Sequence, residues 1–408
     1  MPEPPAWRFQ NITKPLFDFE SKHFILKGRV LTAVGDQVIE NGFVEIDGQK
    51  IKAVGKVEEL GSDAIETIET GGTILPGLIN SHLHLAWDGI HDLAHQALND
   101  TPEVSAYKCA GNMLINLRAG VTTVRDLGMN KTSYTAKQVV EQGIFPGPRV
   151  LICGEAIVQT GGHTYWCCHE ASGPDEMRRA VREQVRNNAD LIKIMACHDL
   201  LEFTDAELEA VIDETHRNGL YITAHATFEK AIRRVVDFGI DMIEHGGKMT
   251  PETIQLLADK KIPIVTTFSA LVQQANAEVA RKYRIPEWKI LERQKAVANT
   301  ASFDSLVDAA KAGVTIVFGT DAGSPAVGHE VIVPEMKFMV KLGLVDGNYG
   351  AIRSATSVAA LVNRLGDKVG TLEAGKLADV IVVDGNPLED LENLKNVKRT
   401  YRDGRQLV

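Results

Sequence analysis

The chain has 408 residues, 44% of them hydrophobic and 24% charged, which is enough to bury a large core and excludes a disordered, collagen-like or small disulfide-stapled scaffold. Its 44 basic and 54 acidic residues give a formal charge of −10 with no basic stripe, which argues against nucleic acid or an anionic membrane surface as the main partner. The five cysteines (Cys109, Cys153, Cys167, Cys168 and Cys197) are odd in number and two are adjacent, so a disulfide framework is not expected and a reducing, cytoplasmic compartment is.

The first twenty residues mix prolines with Glu3, Arg8 and Asp18 and hold no apolar run of signal-peptide kind, so the sequon Asn11-Ile12-Thr13 reads as incidental. From 24 to 68, short apolar runs are cut by Gly28, Gly35, Asn41-Gly42 and Asp47-Gly48, turn residues that separate β-strands. Eight β-branched runs then alternate with helical stretches, at 73–79, 121–125, 149–153, 191–195, 221–224, 241–244, 262–266 and 314–318. Thr204 with Glu207 forms a capping box, and Thr101-Pro102 and Thr250-Pro251 each place a cap before a proline in the first helical turn. The β texture returns from 369 to 408, and no apolar run is long enough to span a membrane. The predicted fold is α/β, a (β/α)8 TIM barrel over 73–365 with a small β-sandwich built from both chain ends, 1–72 and 366–408. A doubly wound open sheet is the competing architecture.

Polar residues gather where the runs end, the place at which a barrel builds its active site. Run one leads into Asn80-Ser81-His82-Leu83-His84, run four contains Lys193, run five leads to His225, run six to Glu244-His245 and run eight to Gly319-Thr320-Asp321. The period of two sends His82 and His84 to one face, and neutral imidazole is a good ligand for zinc. Alone, a His-x-His is as easily a packed or surface pair, and Asp321 could cap a helix; the joint pattern at five strand ends points to a metal site. Lys193 interrupts Leu191-Ile192-Lys193-Ile194-Met195, which otherwise reads as a buried strand. An ammonium there is costly, and a lysine of depressed pKa could take up carbon dioxide as a carbamate.

These stretches, together with Ala119-Gly120-Val121-Thr122-Thr123-Val124-Arg125-Asp126 and Gly370-Thr371-Leu372-Glu373-Ala374-Gly375-Lys376-Leu377-Ala378-Asp379, resemble the amidohydrolase superfamily. Within it the chain resembles the imidazolonepropionase-related group that includes metal-dependent Xaa-Pro dipeptidases. The resemblance implies two divalent metal ions, zinc foremost, with His82, His84 and Asp321 on one, His225 and His245 on the other, and carboxylated Lys193 bridging them. It implies further that Asp321 accepts and returns the proton of the attacking water, and that His163 faces the substrate carbonyl. The implied activity is hydrolysis of an amide or peptide-like C–N bond in a small substrate such as a dipeptide or N-acyl amino acid. Cyclic amides, carbamates, ureas, phosphotriesters or xenobiotic amides are the alternative substrates.

A deaminase of this superfamily would carry a glutamate where Phe228 stands, and a non-catalytic scaffold would lack ligands that are all filled here. The short segment Ala196-Cys197-His198-Asp199-Leu200-Leu201-Glu202-Phe203 departs from the Gly-rich loop of many relatives, so a different substrate pocket is expected. Tyr165-Trp166-Cys167-Cys168-His169 is read as a packed loop, His23, His91, His95, His169, His198, His216 and His329 as local hydrogen-bonders or solvent-facing, and the chain as open to homo-oligomer formation.

Overall fold

The apolar run at 73–79 does not form one strand. In the computed structural model, which describes residues 22–61, 65–128 and 130–408, it breaks at Gly77, where a side chain would collide with Thr122. The part before Gly77 closes one strand, Glu66–Pro76, and the part after it opens another, Leu78–Leu83, so the chain passes from one sheet to another at a residue that only glycine can occupy. The terminal segment with the sequon at Asn11 lies outside the described residues.

Among the described residues four strands precede the break: β1 (His23–Leu31), β2 (Val38–Asp47), β3 (Lys50–Lys56) and β4 (Glu66–Pro76). Ten follow it: β5 (Leu78–Leu83), β6 (Val121–Asp126), β7 (Arg149–Ile152), β8 (Ile157–Val158), β9 (His169–Glu170), β10 (Leu191–Met195), β11 (Tyr221–Phe228), β12 (Met242–Lys248), β13 (Ile264–Thr266) and β14 (Ile316–Phe318). The last three are β15 (Val380–Val383), β16 (Val397–Arg402) and β17 (Arg405–Gln406). Both chain ends share one seven-stranded sheet, in the order β17-β16-β15-β4-β1-β2-β3, because β4 pairs antiparallel with β15 through Pro76↔Val380 and Ile74↔Val382. Its apolar face buries Leu26, Val44, Ile74 and Val380.

The other strands run parallel, as strands joined by helical crossovers must. They lie in the orders β14-β13-β12-β11-β10-β8-β9 and β5-β6-β7. Backbone bonds join the two groups at both flanks: Asp190 N–H donates to Ile152 O at 2.8 Å, and Asp321 N–H to His82 O at 2.8 Å. Leu191, Ile192 and Ile194 of β10 are fully buried, which explains the near-continuous apolar run. The Thr204 box holds as expected: Thr204 N–H donates to Glu207 Oε2 at 2.6 Å, and Glu207 N–H to Thr204 Oγ1 at 3.3 Å. Such a cap contributes about 1 kcal/mol. The same carboxylate accepts Gly173 N–H at 2.6 Å, tying two successive helices together. None of the described helices is long and apolar enough to cross a membrane.

Candidate metal centre

His82, at the end of β5, and His84, just past it, lie two residues apart on one face, and their rings are 5.5 Å from each other. Each ring is fixed through Nδ1: His82 by Glu244 Oε2 at 2.7 Å, His84 by Gly128 O at 2.5 Å. Both partners only accept, so Nδ1 carries a proton and Nε2 is the ring atom left facing the cluster. The two Nε2 atoms converge on Asp321 Oδ1, at 3.4 and 3.1 Å. Donor atoms of His82, His84 and Asp321 fall within 4.8 Å of one another, a spacing one cation can bridge.

His225 and His245 sit beside this trio. The His245 ring is 4.8 Å from His82 and 4.6 Å from His225, and His225 is 4.6 Å from His163. The sequence places His225 and His245 at the ends of runs five and six, yet β11 and β12 continue through them to Phe228 and Lys248. Strand alternation would send Glu244 and His245 to opposite faces. The left-handed backbone at His245 (φ +70°) breaks the alternation, so both residues reach His82. Asp321 is likewise left-handed (φ +57°), and such non-glycine backbone costs of order 1–3 kcal/mol and clusters where function requires it. It caps no helix: no helix starts at this residue.

Charge at the centre follows from burial and neighbours. Burial first, with the field of nearby Lys193, keeps His225 well below the usual histidine range and holds His245 down at about 3. Both are therefore neutral imidazoles with lone pairs to offer. Burial opposes ionisation of Asp321, but His82 and His84 outweigh it and hold the carboxyl well below its ordinary range. Lys193, in register beside Thr223, is 2% exposed, and burial pushes its amine down against the fields of Glu244 and Asp321.

Beneath the centre lies a second group that the sequence reading did not assign. Glu244, fully buried, accepts from Arg125 Nη2 at 2.6 Å, Thr223 Oγ1 at 2.5 Å and His82 Nδ1 at 2.7 Å. Burial opposes its charge, yet Arg125 and His82 hold the carboxyl well below the usual range. Arg125 in turn donates from Nε to Ser81 O at 2.5 Å, locking the residue that precedes His82. The signal was present: Arg125 and Glu244 are charged residues within buried strands, as Lys193 is. Glu244→Gln should strand the Arg125 cation and lower stability by about 3–5 kcal/mol, and loosening of the His82 ring should weaken metal affinity about 10–100-fold. Thermal unfolding and metal titration read the two effects separately, and the double variant with Arg125→Met should recover stability without recovering metal affinity.

His163 is in place but reached indirectly, its ring packed between His225 and His198 at 4.6 and 4.7 Å. Burial and the neighbouring positive charges of His198 and Lys193 hold it at about 4, so it too is neutral. His198, read as a local hydrogen-bonder or solvent-facing, is 62% exposed at its side chain beside Asp199, and its ring also stacks on His163 at an interplanar angle of 18°. His329, grouped with it, is buried, meeting Asn116 Nδ2 at 3.1 Å and Trp87 O at 3.0 Å. All five cysteines are free, and Cys167 donates to Thr164 O at 3.3 Å within the packed loop.

Residues 73–407 match the profile of the Amidohydrolase family. Ochratoxinase from Aspergillus niger is 27% identical over 93% of this chain and 85% of its own length. Among solved structures, a Xaa-Pro dipeptidase with methionine bound in its active site superimposes with a TM-score of 0.82 at 28% identity, covering 94% of this chain and 99% of that one. An amidohydrolase reaches 31% identity and a TM-score of 0.81 over 95% and 99% of the two chains. With the matched segment spanning most of its length, the chain belongs to the amidohydrolase family and is a hydrolase of carbon–nitrogen bonds.

Proposed function

We propose that the parallel strands close as a (β/α)8 barrel whose rim holds a binuclear divalent-metal centre, with zinc as the metal, and that the enzyme cleaves an amide or peptide-like bond of a small substrate such as a dipeptide or N-acyl amino acid. The observation that carries this reading is the convergence of His82 Nε2 and His84 Nε2 on one oxygen of Asp321, with neutral His245 4.8 Å from the His82 ring and neutral His225 4.6 Å from His245. Four imidazoles and a carboxylate are a donor set that suits zinc. His82, His84 and Asp321 would hold one ion, and His225 and His245 the other. A carboxylated Lys193 would bridge them, its buried and weakly basic amine being the form that adds carbon dioxide. Bound there, the cations would supply a water of lowered pKa and a polarised scissile carbonyl.

The protein's own groups do the rest. Asp321, ionised and 19% exposed at its side chain, is the base that takes the proton of the attacking water and returns it to the leaving nitrogen. His163, kept neutral and steadied by Glu202 through its backbone N–H at 2.6 Å, is placed to donate to the substrate carbonyl. A deaminase is disfavoured by Phe228 at the end of β11, where an acid would be needed. Ochratoxinase and the Xaa-Pro dipeptidase are named for different substrates, so the fold leaves the substrate to the cleft. Amine release from a library of dipeptides and N-acyl amino acids, with a metal-stripped sample beside it, tests the reading. Metal-dependent release is expected, and silence across the library would move the substrate to cyclic amides, carbamates or ureas.

A further inference from the structure

A cleft of about 670 Å³ opens beside His163, between segments 159–166 and 198–202. Its size is that of a site for a small organic ligand. The cleft borders the centre through two sets of side chains. His163 lines it while packing on His225, and a row of rings leads to it from the first histidines, His84 on Trp87 at 4.4 Å and Trp87 on Trp166 at 5.9 Å. Trp166 forms one wall. Tyr165, Leu200 and Leu201 also line it and stand 52%, 78% and 40% exposed, an apolar grouping that no neighbour among the described residues covers.

Its charge is as informative as its shape. Among the described residues that line the cleft there is no lysine or arginine, whereas Asp199 and Glu202 are both there. Glu202 is turned inward to accept the backbone N–H of His163, and Asp199 is open to solvent. A carboxylate placed in the cleft would lose hydration and lie near Asp199 and Glu202, its basic neighbour being the His198 imidazole, itself 3.6 Å from Asp199. A flat, uncharged ring would instead cover the exposed leucines and stack on Trp166.

We infer that this cleft receives an uncharged aromatic arm of the amide substrate and discriminates against an arm that bears a carboxylate. The inference rests on the proposed metal-dependent amide hydrolase, and it assigns selectivity to the short loop at 196–203, in particular to Leu201, and to Trp166. A carboxylate on the far side of the scissile bond is untouched by it.

Hydroxamic acids probe the arm without turnover, since the hydroxamate binds the metal and only the substituent varies. Calorimetry on the zinc-loaded protein would compare acetohydroxamic, benzohydroxamic, 2-naphthohydroxamic, 4-carboxybenzohydroxamic and 4-(aminomethyl)benzohydroxamic acids. The naphthyl compound should bind about tenfold or more tighter than the acetyl one, and the carboxylated ring about tenfold weaker than the plain ring. Trp166→Ala should erase the naphthyl advantage, and Leu201→Lys should narrow or reverse the carboxylate penalty. Equal affinities across the series, or tightest binding of either charged ring, would overturn the inference. If acetohydroxamic acid bound no better to loaded than to stripped protein, the metal reading itself would fall, a result separate from the ranking of the arms. Failure of every probe to bind would sink both.

Discussion

Lys193→Ala should reduce kcat/KM by roughly 10³-fold or more, the scale of removing one pre-organised electrostatic group, and should lower the metal retained through purification. The fold should persist, because the substitution replaces a buried amine that burial already disfavours in its charged form. Two controls separate a bridging role from a merely structural one. Formate, acetate or propionate should restore part of the activity of Lys193→Ala, since a short carboxylate offers the two oxygens that the carbamate would. Mass spectrometry of the native holoprotein should show one added carbon dioxide, absent from the variant. Undiminished activity together with full metal content would remove Lys193 from the centre.

Asp321→Asn should lower kcat by about 10²–10⁴-fold with a smaller change in KM, because the carboxamide keeps the shape and loses the base. The backbone bond from Asp321 N–H to His82 O at 2.8 Å does not depend on the side chain, so the strand end should hold its place. Circular dichroism should therefore stay near wild type while turnover collapses, and turnover measured at saturating zinc separates loss of the base from loss of a ligand. A loss of less than tenfold would deny Asp321 its proton-transfer role.

Much of the fold was legible because parallel strands buried on both faces read as short β-branched runs, and seven of the eight runs coincide with strands to within a few residues. The exception, 73–79, failed for a steric reason invisible in a run of apolar letters: Gly77 is a crossing point between sheets, packed against Thr122. At the site, His82 and His84 could be paired by strand period alone. The closeness of His245 to His82 could not, since it depends on a left-handed residue that is not glycine. Arg125 and Glu244 were readable by the argument used for Lys193, the cost of burying charge, but their partners come from strands more than a hundred residues apart. His198 stayed hidden because a ring stack at 4.7 Å between two loops leaves no spacing rule in the sequence.

Metal stoichiometry followed together with activity tests the central claim most directly. The purified protein would be stripped with a chelator, its residual metal measured by elemental analysis, and zinc returned stepwise while amide hydrolysis is followed. Two ions bound per chain, with activity lost on stripping and regained as the second site fills, is the predicted result. Full hydrolysis by protein holding no metal above background would contradict the account.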